Sequence, residues 1–107
     1  MSKKYTLGTN KDSAIQLLPE GEIKLVQVGS TKICLVRQSE EIYAFQHLCP
    51  HQSAPLHEGK INAFGHVICP LHHYRFDLKT GDVKSGSCPP LKTYPARLTD
   101  EGIEIKI

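Results

Sequence analysis

The sequence predicts a single small all-β domain, and three observations support this fold class. At the C-terminus Ile103, Ile105 and Ile107 alternate with Glu104 and Lys106, the period-2 pattern of a half-buried strand. Shorter β-rich runs elsewhere are separated by turn signals that contain Gly, Pro, Asn or Asp. The length of 107 residues suits one domain, and 39% hydrophobic with 22% charged content is ordinary for a folded chain.

The first half of the chain is predicted to form an opening edge strand followed by a meander. The expected strands cover residues 4–8, 22–28, 31–37 and 42–45. Gly29-Ser30 between the second and third runs is typical of a hairpin with a two-residue turn. The connection over residues 10–21 carries Asn, Asp, Pro and Gly, and includes one helical turn around residues 14–18.

The second half is predicted to insert loops between short extended segments. These segments cover residues 60–63, 66–69, 74–77, 82–84, 93–98 and 103–107. Gly81 stands where a hairpin turn requires positive φ. Residues 86–90 form a stiff loop with few hydrogen-bond donors, because proline lacks an N–H group. Two further loops, at about 46–59 and 70–73, carry residues with metal-binding chemistry.

Two Cys–His pairs are the main chemical signal. Cys49-x-His51 is followed, after seventeen residues, by Cys69-x-x-His72. If each pair supplies one ligand to each of two irons, the sulfurs hold one iron and the nitrogens the other, which is the ligation of a Rieske 2Fe–2S centre. A Cys₂His₂ zinc site is the sharpest metal alternative, although zinc sites favour Cys-x₂₋₄-Cys pairs over Cys-x-His.

The remaining cysteines and histidines have less specific interpretations. Cys34, inside an apolar strand, is expected to be a core residue, and Cys88 a free thiol in the Pro-rich loop. An all-Cys iron–sulfur site using residues 34, 49, 69 and 88 lacks the Cys-x₂-Cys spacing of ordinary ferredoxins. By spacing alone His73 is a second candidate beside His72, and His47 enters the first loop. His57 and His66 have no specific signal.

The ordered set of motifs over roughly residues 20–107 resembles the Rieske family. Besides the two Cys–His pairs, the resemblance includes Leu56, Gly59, residues 74–77, Thr80-Gly81 and Pro89-Pro90-Leu91. It implies a stack of antiparallel sheets with a cluster-binding tip made of two ligand loops and a Pro loop. It also implies one Rieske domain over residues 1–107, with a base of about 1–45 and 91–107 and a cluster-binding subdomain of about 46–90.

The resemblance further implies one Rieske-type 2Fe–2S cluster. Cys49 and Cys69 would hold the inner ferric ion, and His51 and His72 the outer iron. The family exposes its histidine edges at the tip, so His51 and His72 would be the route of the electron. The family usually has Gly after the second histidine ligand; here His73 takes that place and is expected to flank the cluster.

The reduction potential is expected near the low end of the Rieske range. High-potential members carry an extra Cys in each loop, joined as a disulfide, where this chain has Ala54 and Leu71. They also place Ser and Tyr hydroxyls against the cluster sulfurs, where this chain has Tyr74 and Phe76. Fewer hydrogen bonds to sulfur stabilise the reduced state less, which favours a potential of roughly −150 mV.

The expected function is one-electron transfer without catalysis by the chain itself. Rieske oxygenases carry a second, larger domain with a mononuclear iron, for which 107 residues leave no room, and no Rossmann glycine fingerprint is present. The chain resembles a small ferredoxin that takes electrons from a flavin-dependent NAD(P)H reductase and delivers them to a terminal oxygenase. The alternatives are the small subunit of an assimilatory NAD(P)H nitrite reductase and a structural zinc module.

The charge distribution and the N-terminal sequence further limit the classes of partner and the cellular location that are expected. The net charge is +2, and Lys and Arg are scattered among acids, which argues against nucleic acid. Around the tip basic residues outnumber acids, which favours an acidic partner surface. The N-terminus has no apolar signal-peptide core, and no apolar run is long enough to span a membrane. The expected location is the cytoplasm.

Overall fold

A computed structural model describes residues 3–107 of the chain, so the first two positions of the predicted domain and of its N-terminal segment lie outside the described residues. The all-β class and the antiparallel sheets are confirmed. There are eleven described strands: β1 Lys4–Leu7, β2 Lys24–Val28, β3 Thr31–Gln38, β4 Glu41–Gln46, β5 Lys60–Ile61, β6 His66–Ile68, β7 Arg75–Asp77, β8 Val83–Ser85, β9 Thr93–Tyr94, β10 Ala96–Thr99 and β11 Gly102–Lys106. One α-helix (α1, Lys11–Leu17) and one 3₁₀ turn (Leu56–Glu58) complete the described elements.

The strands form three antiparallel sheets. The first sheet has the order β1-β11-β10, the second β2-β3-β4-β9 and the third β5-β6-β7-β8. The first ligand loop connects the second sheet to the third, and the second ligand loop connects β6 to β7 within the third sheet. The third sheet is therefore the element that positions both Cys–His pairs.

The prediction of one strand over residues 93–98 is wrong, because two strands cover this segment. Pro95 separates β9 from β10, and the two strands belong to different sheets. Tyr94 pairs with Ala44 of β4, whereas Ala96 pairs with Ile105 of β11. Proline has no N–H to donate to a ladder, so the chain leaves one sheet at this position and enters the next.

The helix is longer than the single turn predicted around residues 14–18. Asn10 provides the N-cap: its side chain accepts a hydrogen bond from the Ser13 N–H at 2.8 Å. The Ser13 hydroxyl in turn accepts from the Asn10 N–H at 3.1 Å, which completes a capping box. Two otherwise unpaired helix N–H groups are thus satisfied, and Ala14 packs into the core at 0% exposure.

The second sheet separates two hydrophobic cores. Four consecutive residues of β3, from Ile33 to Val36, are at most 2% exposed, which shows that both faces of this strand are covered. Ile33 and Leu35 contribute to the core shared with α1 and the first sheet. Cys34 and Val36 face the other core, which is shared with the third sheet and contains both Cys49 and Cys69. Cys34 is confirmed as a core residue.

Within the described residues, no helix is long and apolar enough to cross a membrane.

Candidate metal centre

Both ligand loops are closed by the same backbone contact. The Cys49 N–H donates to the Ala54 carbonyl at 2.8 Å, and the Cys69 N–H donates to the Tyr74 carbonyl at 2.7 Å. In each loop the cysteine therefore pairs with the residue five positions later. The first loop has a further bridge between Leu48 and Pro55 at its base. Each cysteine is consequently fixed where a paired segment ends, with its side chain in the core.

The fourth residue after each cysteine adopts a left-handed backbone conformation. Ser53 has φ of 57° and His73 has φ of 55°, and in the second loop His72 also has a positive φ, of 64°. The family usually has Gly at the position of His73, because Gly adopts positive φ without steric cost. Here a histidine adopts that conformation, so the loop keeps its turn although the residue differs.

Three of the four predicted ligands converge. The ligand atoms of Cys49, His51 and Cys69 all lie within 4.8 Å of one another. His51 directs Nδ1 toward the two sulfurs, at 2.5 Å from Cys49 Sγ and 4.0 Å from Cys69 Sγ. His72 is not part of this group, but its ring centroid lies 5.7 Å from that of His51. The two imidazole rings are thus close to each other, although they come from different ligand loops.

The buried position of the ligand cysteines disfavours their negatively charged thiolate form unless a cation is bound beside them. Cys49 is 2% exposed and Cys69 is 0% exposed. Burial raises the pKa of Cys49 to about 12. A thiol ligand binds as the thiolate, so a metal at this position must displace a proton and supply the compensating charge. The buried pair is a site that a metal cation would stabilise.

His51 is covered on one face by an aromatic ring. Tyr74 stacks on it, with ring centroids 4.1 Å apart and planes inclined by 15°. His51 Nε2 is buried and has no hydrogen-bond partner among the described residues. His72 is exposed, whereas His51 is half-buried, so the two histidines differ where the sequence led us to expect two open edges.

Gly86 in the Pro loop makes room for Tyr74. A Cβ atom at Gly86 would lie 2.4 Å from the Tyr74 ring, and the residue has φ of 117°. Both conditions require glycine. The sequence predicted that Tyr74 lies near the cluster, but it did not predict the stack on His51 or single out Gly86, whose only signal was its place as the first residue of the Pro loop.

The other cysteines remain outside the converging group. Cys34, on β3, is 0% exposed, and burial raises its pKa to about 12. Cys88 is half-buried, and its pKa is raised by burial and by the neighbouring Cys69. All four cysteines are free thiols. Among the described residues only Cys49, His51 and Cys69 form a candidate metal group, so the arrangement does not favour the all-Cys alternative.

A second histidine pair lies at the base of the first ligand loop. The rings of His47 and His57 are 5.4 Å apart, and the Leu56 N–H donates to the His47 carbonyl at 2.9 Å. Burial lowers the pKa of His47, and the nearby His57 and Lys32 lower it further. These contacts close the loop near its start. The positions of His47 and His57 in the sequence did not predict that their rings lie next to each other.

The donor set fits a Rieske-type centre. Two buried thiols and an imidazole nitrogen directed at them, with a second imidazole alongside, match the mixed sulfur and nitrogen ligation of such a cluster. Zinc also accepts two sulfur and two nitrogen ligands, so the donors alone do not separate the two metals.

Comparisons with known proteins separate them. The Rieske [2Fe-2S] domain family matches residues 9–95. The chain is 35% identical over 94 residues to the ferredoxin component of the naphthalene 1,2-dioxygenase/salicylate 5-hydroxylase systems of Ralstonia sp., covering 84% of this chain and 86% of that protein. The ferredoxin of carbazole 1,9a-dioxygenase from Nocardioides aromaticivorans IC177 has a TM-score of 0.83 and 27% identity, covering 96% of both chains.

One solved structure comes from the other class of protein considered above. A proposed small subunit of an NADH-dependent nitrite reductase from Mycobacterium tuberculosis has a TM-score of 0.80, covering all of this chain and 96% of that one. Its sequence identity is 22%, so this likeness concerns the fold alone.

Proposed function

Since the chain belongs to the Rieske family, whose domain holds one Rieske-type 2Fe–2S cluster, we propose that it is a one-electron carrier that delivers electrons to a terminal oxygenase. The observation that carries the proposal is the convergence of the Cys49 and Cys69 thiols with His51 Nδ1 where the two ligand loops meet. The relative from Ralstonia and the structure from Nocardioides, both ferredoxins of dioxygenase systems, support the same function.

We propose that Cys49 and Cys69 hold the inner iron and that His51 and His72 hold the outer iron. When bound, the cluster supplies a one-electron couple at a potential between about −150 and +300 mV. The two cysteines lie in the core, where they exclude water from the inner side of the site. His72 is exposed, whereas His51 is half-buried beneath Tyr74. The electron would therefore leave mainly through the His72 edge.

The donor of the electron is proposed to be a flavin-dependent NAD(P)H reductase. A carrier that exchanges electrons with two proteins through one exposed edge must bind them in turn, so both contacts should be small and transient. The proposed layout is a base of about residues 1–45 and 91–107 that supports a cluster-binding subdomain of about 46–90. Apart from Gln46 at the end of β4, the strands of the first two sheets fall within the range of the base, and those of the third sheet fall within 46–90.

The decisive experiment is an EPR spectrum of the dithionite-reduced protein. A rhombic signal with the lowered average g value of a His-ligated 2Fe–2S cluster is expected. A signal of the all-Cys type would overturn the ligand assignment. EPR silence together with stoichiometric zinc on metal analysis would overturn the electron-transfer function.

A redox titration of the same sample measures the potential. Phe76 is 0% exposed in the core and has no group to donate, and the Tyr74 ring is stacked on His51. Hydrogen bonds to the cluster sulfurs from these two positions are therefore not expected. The midpoint should lie near the low end of the Rieske range, roughly −150 mV. A clearly positive midpoint would contradict this.

The nitrite reductase alternative is tested by identifying the protein that accepts the electron. A carrier for oxygenases should reduce an isolated oxygenase component in solution through brief encounters, whereas a reductase subunit should co-purify with a large sirohaem subunit. Stable co-purification with such a subunit would replace the oxygenase proposal.

A further inference from the structure

A basic groove runs beside the second ligand loop, on the outer face of the third sheet. We propose that this groove is a docking slot for an acidic side chain of the terminal oxygenase, with Arg75 as its principal contact. The inference rests on the proposed function and specifies the chemistry of the partner surface. It concerns the flank of the tip rather than the exposed His72 edge.

The register of the third sheet builds the floor of the groove. Directly paired residues on adjacent strands point to the same face, and neighbouring rows point to opposite faces. One row faces the core and consists of Ile61, Val67, Phe76 and Val83. The next row, Lys60, Ile68 and Arg75, must therefore face outward. The ladder between β7 and β8 has an irregular register at this point, so that Ser85 rather than Lys84 pairs with Arg75 and lines the same groove.

The groove adjoins the metal centre. Its walls come from Glu58 and Gly59 at the end of the 3₁₀ turn and from Pro70 and His73 in the second ligand loop, and Cys69 also lines it. Its volume is about 690 Å³, which exceeds the space that one small anion fills. A protein segment seated here would lie next to a proposed cluster ligand. That position suits a partner that exchanges electrons with the cluster.

Two cations line the groove without a counter-charge. Lys60 and Arg75 have no salt bridge and no side-chain hydrogen bond within the described part of the chain, whereas Lys4, Lys11, Arg37 and Arg97 all have acidic partners. Glu58 is the single acid on the groove, and it lies beyond ion-pair distance of both cations. The groove is therefore positively charged.

The chemistry of the floor favours a carboxylate. Arg75 is half-buried at the floor of the groove, where a charge interaction is less screened than on an open surface. A guanidinium presents paired N–H donors that match the two oxygens of a carboxylate. Lys60 and the Ser85 hydroxyl, which also line the groove, can add further donors. An Asp or Glu side chain on a protein loop satisfies these contacts.

Binding can be measured without electron transfer. The probe is a fluorescein-labelled hexaglutamate peptide, titrated with the oxidised, cluster-loaded protein at about 20 mM salt, where charge interactions are weakly screened. Arg75→Gln and Lys60→Gln should each weaken binding by about fivefold, the effect expected of one charged contact. Lys106→Gln removes the same charge from an exposed strand residue of the first sheet and should change binding by less than about twofold.

The result that would overturn the proposal is equal binding by the Arg75→Gln and Lys106→Gln proteins. The visible spectrum and melting temperature of each variant are recorded on the same samples. If Arg75→Gln fails to fold, Lys60→Gln decides the question, because Lys60 is exposed and its removal leaves the core intact.

A second measurement asks whether the groove lies on the route of the electron. The dithionite-reduced protein is mixed by stopped flow with ferricyanide, a trianion, and separately with hexaammineruthenium(III), a trication. Arg75→Gln should slow the reaction with ferricyanide and leave that with the ruthenium complex unchanged or faster. Altered peptide binding with unaltered rates would remove the groove from the docking surface.

The two measurements separate this inference from the proposed function. If the EPR spectrum shows no Rieske cluster, the proposed function fails whatever the peptide does. If the cluster is loaded and transfers electrons, but Arg75→Gln behaves like Lys106→Gln, only the groove is wrong.

Discussion

The two ligand loops are closed in the same way but present their histidines differently. In both, the cysteine N–H donates to the carbonyl five residues on, and the fourth residue after the cysteine has positive φ. His51, two positions after its cysteine, is half-buried against Tyr74, and its Nδ1 faces the sulfurs. His72, three positions after its cysteine, is exposed and has positive φ itself.

The difference shows that two separate causes place the ligands. The cysteines are placed by paired segments that end in a common core, so both are buried. The histidines are placed by their offset within the loop and by the neighbouring rings. One histidine is covered, and the other is open to solvent and to a partner.

The largest effect is expected from the cysteines. Cys49→Ala and Cys69→Ala should each abolish cluster loading, because each removes a buried sulfur ligand that no other converging group can replace. Cys88→Ala is the matched control, since it removes a half-buried thiol near Cys69 and should leave loading intact. The ratio of visible absorption to protein measures the outcome. Loss of absorption in the Cys88 variant would reopen the all-Cys alternative.

The two adjacent histidines of the second loop should differ next. His72→Ala should remove the Rieske EPR signal and lower the loaded fraction by at least about tenfold, because losing even a contact that supports a ligand typically costs this much metal affinity. His73→Ala should retain the signal, since His73 flanks the proposed site and is exposed. The opposite pattern would assign the ligand to His73.

The packing of Tyr74 against His51 can be tested by substituting Gly86. Gly86→Ala places a methyl 2.4 Å from the Tyr74 ring in a backbone with positive φ, so it should lower the melting temperature by about 10 °C. Gly65 also has positive φ, but nothing lies within 4 Å of its Cβ direction. Gly65→Ala should therefore lower the melting temperature by only about 5 °C, the cost of placing a side chain on a backbone with positive φ. Equal shifts for the two variants, read by circular dichroism, would mean that Tyr74 is free to move.

The smallest effect concerns Cys34, which is buried in the same core as Cys49 but has no imidazole beside it. Burial raises its pKa from 9.0 to about 12, so the folded state favours the neutral thiol. This contribution to stability is complete below pH 9 and is lost as pH rises from 9 to 12. At pH 10 the loss should be about 1 kcal/mol.

The control for this prediction is Cys34→Val, which keeps an apolar side chain and removes the titrating group. Urea unfolding of both proteins at pH 8 and pH 10 measures the difference. A wild-type protein that loses no more stability than Cys34→Val over this interval would contradict the prediction.

Much of the fold and of the donor set could be predicted from residue patterns. The hairpin at Gly29-Ser30 and the strand around Ile103 and Ile105 follow from local periodicity and turn chemistry. The two Cys–His pairs identified the loops that approach each other. The break at Pro95 was missed because the alternating pattern continues across it, while the ladder depends on an N–H that proline lacks.

The sequence by itself determined which side chains are available as ligands and how they are spaced within each loop. Only the tertiary structure decided that Tyr74 covers His51, that Gly86 makes room for Tyr74, and that Lys60 and Arg75 share one outward row. The physical reason is the range of the interactions. Spacing within a loop is a property of neighbouring residues, whereas stacking and cross-strand rows depend on segments that meet only after the sheets have formed.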